Sequence, residues 1–257
     1  MPELIEIETY RAQADAVVGR TIVDVPALDP LGLRGRDPEE VRADLVGLHI
    51  EATDRIGKLL LLVTDGPAVG LRFGMTGRLL VDDAASIEEL EYGSTRDEPA
   101  WDRTVLTFDT GTLRVRDPRR LGGLEVDPDT SLLGPDVASV TTEQLAGALA
   151  GSKAALKSRL LDQRRLAGLG NLLVDESLWR AGIDPARPAG DLSDTEVSDL
   201  AGVIVATVAD LSARGGSHTG DLQPARERGA TCPRDGAPLQ RRTIGGRTTY
   251  SCPAHQR

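Results

Sequence analysis

Pro2 and Glu3 have the types and the spacing for covalent amine chemistry. An initiator Met is removed when a small residue such as Pro follows, and its removal turns Pro2 into a secondary amine. Such an amine attacks a carbonyl-like carbon directly and gives an iminium that is charged without protonation. Glu3 stands one residue away, placed for proton transfer. A Pro at position 2 is common on its own, so this chemistry gains weight only from what lies downstream.

The segment Asp162-Gln163-Arg164-Arg165-Leu166-Ala167-Gly168-Leu169-Gly170-Asn171 is the second signal. Its two glycines permit a tight backbone between helices, and the next helix is expected to begin at Asn171. The start of a helix offers N–H groups without intrahelical partners and the positive end of a dipole, which suits a phosphate. The same pattern also fits a simple helix–helix turn.

The elements that must position these residues are legible in outline. Residues 3–18 read as a helix, with Ile7, Tyr10, Ala14 and Val17 at helical spacing. Short β-type runs follow at Thr21–Val25, His49–Asp54, Lys58–Thr64, Val105–Phe108 and Leu113–Arg116. Asp65-Gly66 and Asp109-Thr110-Gly111 punctuate them as turns, a spacing that predicts a sandwich or barrel. Helices then take over. Thr141–Gln144 and Ser193–Glu196 both fit capping boxes, and Lys153–Asp162 and Asn171–Ala181 read as two further helices. The second capping box opens a helix with Val197, Leu200, Ile204, Val208 and Leu211 on one face, ending at Gly215-Gly216. Residues 216–230 read as a polar loop, and a hairpin with Gly245-Gly246 near its tip closes the chain.

Composition sets the bounds. With 257 residues, 40% hydrophobic and 27% charged, the chain is globular and large enough to bury real cores. It has no stretch long and apolar enough to span a membrane and no signal-peptide pattern, so a cytoplasmic location is expected. Two cysteines, Cys232 and Cys252, rule out a disulfide framework. The net charge of −10 argues against nucleic acid, but its distribution does not. Basic residues gather at 152–171 and 224–257, while acids concentrate at 81–102 and 191–199, which predicts a basic face on an acidic body.

An ordered set of motifs runs nearly the whole length. It comprises Pro2-Glu3-Leu4 with Glu6, Gly57-Lys58, Gly74-Met75-Thr76-Gly77 and Asp117-Pro118-Arg119-Arg120. Asp162–Asn171 continues it through Asp175–Ile183, and Gly246-Arg247-Thr248-Thr249-Tyr250-Ser251-Cys252-Pro253 ends it. In this set the chain resembles the formamidopyrimidine-DNA glycosylase/endonuclease VIII family of bacterial base-excision repair enzymes. The resemblance implies an α+β fold: an N-terminal helix plus β-sandwich domain, then a helical domain with a helix–two-turn–helix and a zinc-finger-like β-hairpin. The expected boundaries are 1–132 for the catalytic helix and sandwich and 133–140 for a linker. The helix–two-turn–helix domain with its lesion-side loop is expected at 141–229, and the hairpin at 230–257.

The resemblance further implies that Pro2 attacks the sugar C1′ of a damaged nucleotide, with Glu3 as its acid/base partner and Glu6 supporting the N-terminus. Lys58, Asn171 and Arg247 would hold phosphates around the flipped nucleotide, and Lys157 matches a lysine near the lesion. Met75, Arg119 and Leu121 correspond to residues that fill the gap left by the extruded base, as an enzyme that unstacks a base requires. The implied activity is glycosylase plus AP lyase, with strand cleavage by β,δ-elimination. The partner would be double-stranded DNA containing damaged bases or abasic sites, met by a monomer with no membrane association. A rival reading is a family member that binds damaged or structured DNA without catalysis; a second is an interaction protein that uses the acidic surface.

The chain also departs from the family pattern. The hairpin carries Cys232, Asp235, Cys252 and His255 where the family has C-x2-C twice. Such a set can still close a tetrahedron around one structural zinc; the alternative is a metal-free hairpin in which Asp235-Gly236 is only a turn. Arg72-Phe73 replaces His-Leu, Leu121 stands where an aromatic is usual, Ile5 where Pro is common, and the loop after Gly215-Gly216 is short. A short loop implies a more open base pocket and weak preference for 8-oxoguanine.

Overall fold

The structure is a computed structural model that describes residues 2–88, 90, 93, 94, 96 and 98–257. Met1, and Glu89, Glu91 and Asp97 of the acidic stretch, lie outside the described residues. The chain forms two compact units, one of Met1–Pro2 and Glu6–Thr130, the other of Glu3–Ile5 and Ser131–Arg257.

In the first unit, helix α1 (Leu4–Ala14) ends in a 3-10 turn at Asp15–Val17. Strand β1 (Ile22–Leu28) and helix α2 (Pro38–Leu45) follow. Then come β2 (Ile50–Ile56), β3 (Leu59–Thr64), β4 (Val69–Arg72), β5 (Arg78–Val81), β6 (Asp102–Phe108), β7 (Thr112–Arg116) and β8 (Gly123–Val126). They build two four-stranded antiparallel sheets, in the orders β1-β6-β7-β5 and β2-β3-β4-β8. Period-2 alternation turns Leu106, Phe108, Leu113 and Val115 inward from one sheet. They join Leu60, Leu62, Leu71 and Leu124 from the other in one apolar cluster, which makes the pair a sandwich. Helix α2 starts where Asp37 Oδ1 accepts the N–H groups of Glu39 and Glu40, with Pro38 preset for the first turn.

In the second unit, α3 (Thr142–Leu149), α4 (Leu156–Leu160), α5 (Asn171–Ala181) and α6 (Asp194–Ala213) precede the hairpin β9 (Gln240–Ile244) and β10 (Arg247–Ser251). Both capping boxes form, at Thr141/Gln144 and Ser193/Glu196. The core gathers Leu145, Leu173, Leu178, Leu200, Ile204 and Leu211, all fully buried, each contributing roughly 1.5–3 kcal/mol on leaving water. The helix expected over Lys153–Asp162 is confined to Leu156–Leu160. The loop 216–230 is partly ordered into 3-10 turns at Ser217–Thr219 and Gln223–Ala225. Among the described residues no helix is long and apolar enough to cross a membrane.

Candidate active site

The second unit places Glu3 at the start of α5. Its carboxylate is fully buried. Oε2 accepts the N–H of Gly170 and of Leu173, each at 3.0 Å, and Oε1 accepts that of Leu172 at 2.8 Å. The first N–H groups of a helix lack intrahelical acceptors, and the positive dipole end favours an anion, so Glu3 is held by three charge-assisted bonds. Gly170 makes room for this, because a Cβ there would fall on the Glu3 carboxyl group. The geometry corrects the reading of this helix start as a phosphate site: the protein's own carboxylate fills it.

Asn171 and Lys157 also turn inward. Asn171 Nδ2 donates to the Thr248 carbonyl at 3.1 Å, and its buried Oδ1 has no hydrogen-bond partner among the described residues. The amide nitrogen keeps a second N–H beyond this bond. Lys157 is fully buried, with Nζ 2.6 Å from Asp175 Oδ1 and 3.1 Å from the Thr248 carbonyl. Burial pushes its ammonium below the usual lysine range, and the Asp175 carboxylate opposes the shift. Arg247, at the start of β10, is exposed and forms no ion pair among the described residues.

In the first unit a second buried carboxylate organises the loop after β7. Asp117 accepts the Thr76 hydroxyl and the N–H of Arg119 at Oδ1, and the N–H groups of Leu121 and Gly122 at Oδ2. One side chain therefore shapes both this loop and the Gly74–Gly77 turn. The two meet directly: Gly74, at φ +55°, would press a Cβ to 2.6 Å from Leu121. Arg119 and Leu121 are left exposed and Met75 half-exposed. Arg120 differs from its neighbour. It takes φ +56° and is tied to Asp29 by two bonds of 2.6 Å.

The remaining first-unit candidates are Pro2, buried; Lys58, half-buried in the β2–β3 turn beside Gly57; and Glu6, buried on α1. Burial, and then the Glu6 charge, push the Tyr10 phenol above its usual range. The Tyr10 hydroxyl donates to the Gly77 carbonyl at 3.2 Å, and its ring packs 4.7 Å from that of Phe73.

Two family models cover most of the chain. The formamidopyrimidine-DNA glycosylase N-terminal domain matches residues 1–124, and the H2TH domain of the same enzyme matches 133–221. The chain belongs to the formamidopyrimidine-DNA glycosylase family. Curated relatives of that name include one from Geobacillus kaustophilus, 35% identical over the full length of both chains, and one from an Exiguobacterium species, 37% identical over 98% of each. Among solved structures, a Lactococcus lactis FPG mutant in complex with a Fapy-dG containing DNA aligns over the whole of both chains, with a TM-score of 0.83 and 26% identity.

The family's hairpin is the place to test the altered ligand set. Donor atoms of Cys232, Asp235, Cys252 and His255 all lie within 4.8 Å of one another. Zinc–ligand bonds of about 2.0–2.3 Å put tetrahedral donors roughly 3.3–3.8 Å apart. Cys252 Sγ is 3.3 Å from Asp235 Oδ2, and Cys232 Sγ is 3.8 Å from His255 Nδ1. His255 Nε2 is 3.3 Å from the Trp179 carbonyl, and its Nδ1 is 2.7 Å from Asp235 Oδ2. Trp179 Nε1–H donates to Cys232 Sγ at 3.3 Å. A hydrogen bond from His255, the largest cause, holds the Asp235 carboxyl below its usual range. The set is compatible with a zinc ion.

Tyr10, Asp117 and Asp175 stand in the quoted helix and motifs, but the sequence assigns no site role to them or to Arg226. Asp117 had a local signal, since an Asp before Pro-Arg-Arg is a turn-forming acceptor. The others act through tertiary partners that no spacing announces.

Proposed function

We propose that the chain is a base-excision DNA glycosylase with AP lyase activity, acting on double-stranded DNA that contains damaged bases or abasic sites. The observation that supports this best is the seat of Glu3: a carboxylate one residue from the Pro2 nitrogen, fixed by three backbone donors. With Met1 removed, the Pro2 amine forms a bond to C1′ of the damaged nucleotide. The C1′–base bond breaks, the departing base takes a proton, and the sugar ring opens to leave an iminium on Pro2. Loss of a C2′ proton then expels the 3′ phosphate by β-elimination, and δ-elimination expels the 5′ phosphate. Glu3 gives and takes the protons.

In this reading Lys58, Asn171 and Arg247 hold phosphates, and Met75, Arg119 and Leu121 fill the space of the extruded base. Cys232, Asp235, Cys252 and His255 hold one zinc, which supplies a structural cross-link for the hairpin. The short loop 216–230 and the aliphatic Leu121 favour ring-opened purines and oxidised pyrimidines over 8-oxoguanine.

Borohydride trapping on an abasic duplex tests the nucleophile. The mature chain should give a covalent adduct that Pro2→Ala abolishes; an undiminished adduct moves the chemistry to a lysine such as Lys58. The basic-face reading has its own test. DNA affinity should fall steeply with salt despite the net charge of −10, and Arg247→Ala should lower the log–log slope by about one. A flat salt response rejects it.

A further inference from the structure

Asp175 and Glu176, neighbours on α5, are both buried, and both carboxylates are spent on the loop 216–230. Glu176 accepts the N–H of Asp221 at 3.0 Å and of Leu222 at 2.9 Å, and also pairs with Arg180 Nε at 2.8 Å. Leu222 is in turn buried against Trp179, Cys232 and Cys252. Asp175 pairs with Arg226 from the far end of the loop and lies 3.4 Å from the N–H of Tyr250 on β10. The Arg226 guanidinium stands 5.3 Å over the Tyr250 ring and is only 7% exposed. The loop is therefore clamped at two points rather than left to drape.

The second clamp has a further reach. Asp175 Oδ1 holds Lys157 Nζ, and the Glu3 charge acts on the same ammonium. Arg226, Asp175 and Lys157 form a series of alternating charge whose side chains are almost wholly shut from solvent. Taking away an end member of such a buried series leaves an uncompensated neighbour that repacks or draws in water. Two cations on one carboxylate would be wasteful if the pair served only to tie helices. Here one cation belongs to the loop, and the other also donates to the Thr248 carbonyl that takes the Asn171 amide.

We propose that Arg226 is a positioning residue for base excision: through Asp175 it fixes the loop 216–230 against α5 and the buried Lys157. This rests on the functional reading above. In that reading the loop 216–230 stands on the lesion side and bears on the base, so its fixing matters while a base is present and ceases to matter at an abasic site, where only the sugar reacts.

The test compares two substrates with the full-length protein: a duplex with a formamidopyrimidine lesion and one with an abasic site. Arg226→Ala should slow single-turnover excision by about 100-fold, the scale of a misplaced reacting group, while strand cleavage at the abasic site keeps its rate. Arg226→Lys, which retains the charge, should recover most of the loss. Hydrogen exchange should quicken at Asp221–Arg226 and Thr248–Tyr250 in Arg226→Ala. Equal loss on both substrates, or loss on neither, overturns the positioning role, as does unchanged exchange. A wild-type protein that gives no borohydride adduct overturns the functional reading itself, and this role with it.

Discussion

Two helices of the second unit begin on a carboxylate, and they obtain it in opposite ways. Helix α6 is started locally: Ser193 Oγ accepts the N–H of Glu196 at 3.3 Å, and Glu196 Oε2 accepts that of Ser193 at 2.8 Å. The Glu196 side chain stays one-third exposed and also pairs with Arg187. Helix α5 is started by Glu3, fully buried and 167 residues from Gly170. A cap taken from the neighbouring turn stabilises its helix and nothing else. A cap taken from the far end of the chain carries that end to a fixed place, so the helix and the candidate acid/base are set by the same three bonds.

Glu3→Gln should break this difference most sharply. Excision should fall by about 10²–10⁴-fold, the usual contribution of a positioned proton donor or acceptor, with DNA affinity largely kept. The amide cannot accept on both ends, so stability should also drop by about 2 kcal/mol. Single-turnover kinetics beside a denaturant titration measure both, and unchanged excision would remove Glu3 from the chemistry.

Gly170→Ala leaves Glu3 in the sequence but drives a Cβ into its seat. It should cost about 1–3 kcal/mol, as overpacking does, and lower excision together with stability. A variant that loses stability yet excises at the wild-type rate would separate the cap from the acid/base.

Glu196→Gln is the mildest. Its cost should be below about 1 kcal/mol, discounted for exposure, and excision should not change. Hydrogen bonding from Arg187, then from the Ser193 N–H, lowers the Glu196 carboxyl from 4.5 to about 2. A depressed folded pKa gives stability that is complete above pH 4.5 and lost as the pH falls to about 2. Melting curves of wild type and variant should therefore converge across that window. A gap that persists at its acid end would assign the effect to shape rather than charge.

These helix starts also mark what a sequence discloses. Both capping boxes and the span of α5 are written in adjacent residues, and they stand where the pattern puts them. Helix α2 has equally local signals in Asp37-Pro38-Glu39-Glu40, but the β-type runs on either side of it mask them. Strands β4, β5 and β8 are four residues each, and Gly70 and Gly123 blur the alternation that would reveal two of them. The chemistry-bearing side chains divide along the same line. Arg119, Leu121 and Arg247 are exposed. Lys157 and Asn171 look the same in one dimension but are drawn inward by Asp175 and by the Thr248 carbonyl. Partners so distant in sequence have no periodicity to betray them.

The remote seat of Glu3 has a consequence for the order of synthesis. Glu3 leaves the ribosome first, yet its partners lie 167, 169 and 170 residues downstream. Contacts of such separation close late, because a long loop must be ordered before they repay it. A nascent or truncated chain that stops short of α5 thus has no seat for the Glu3 carboxylate. The candidate acid/base is fixed only once α5 has been made.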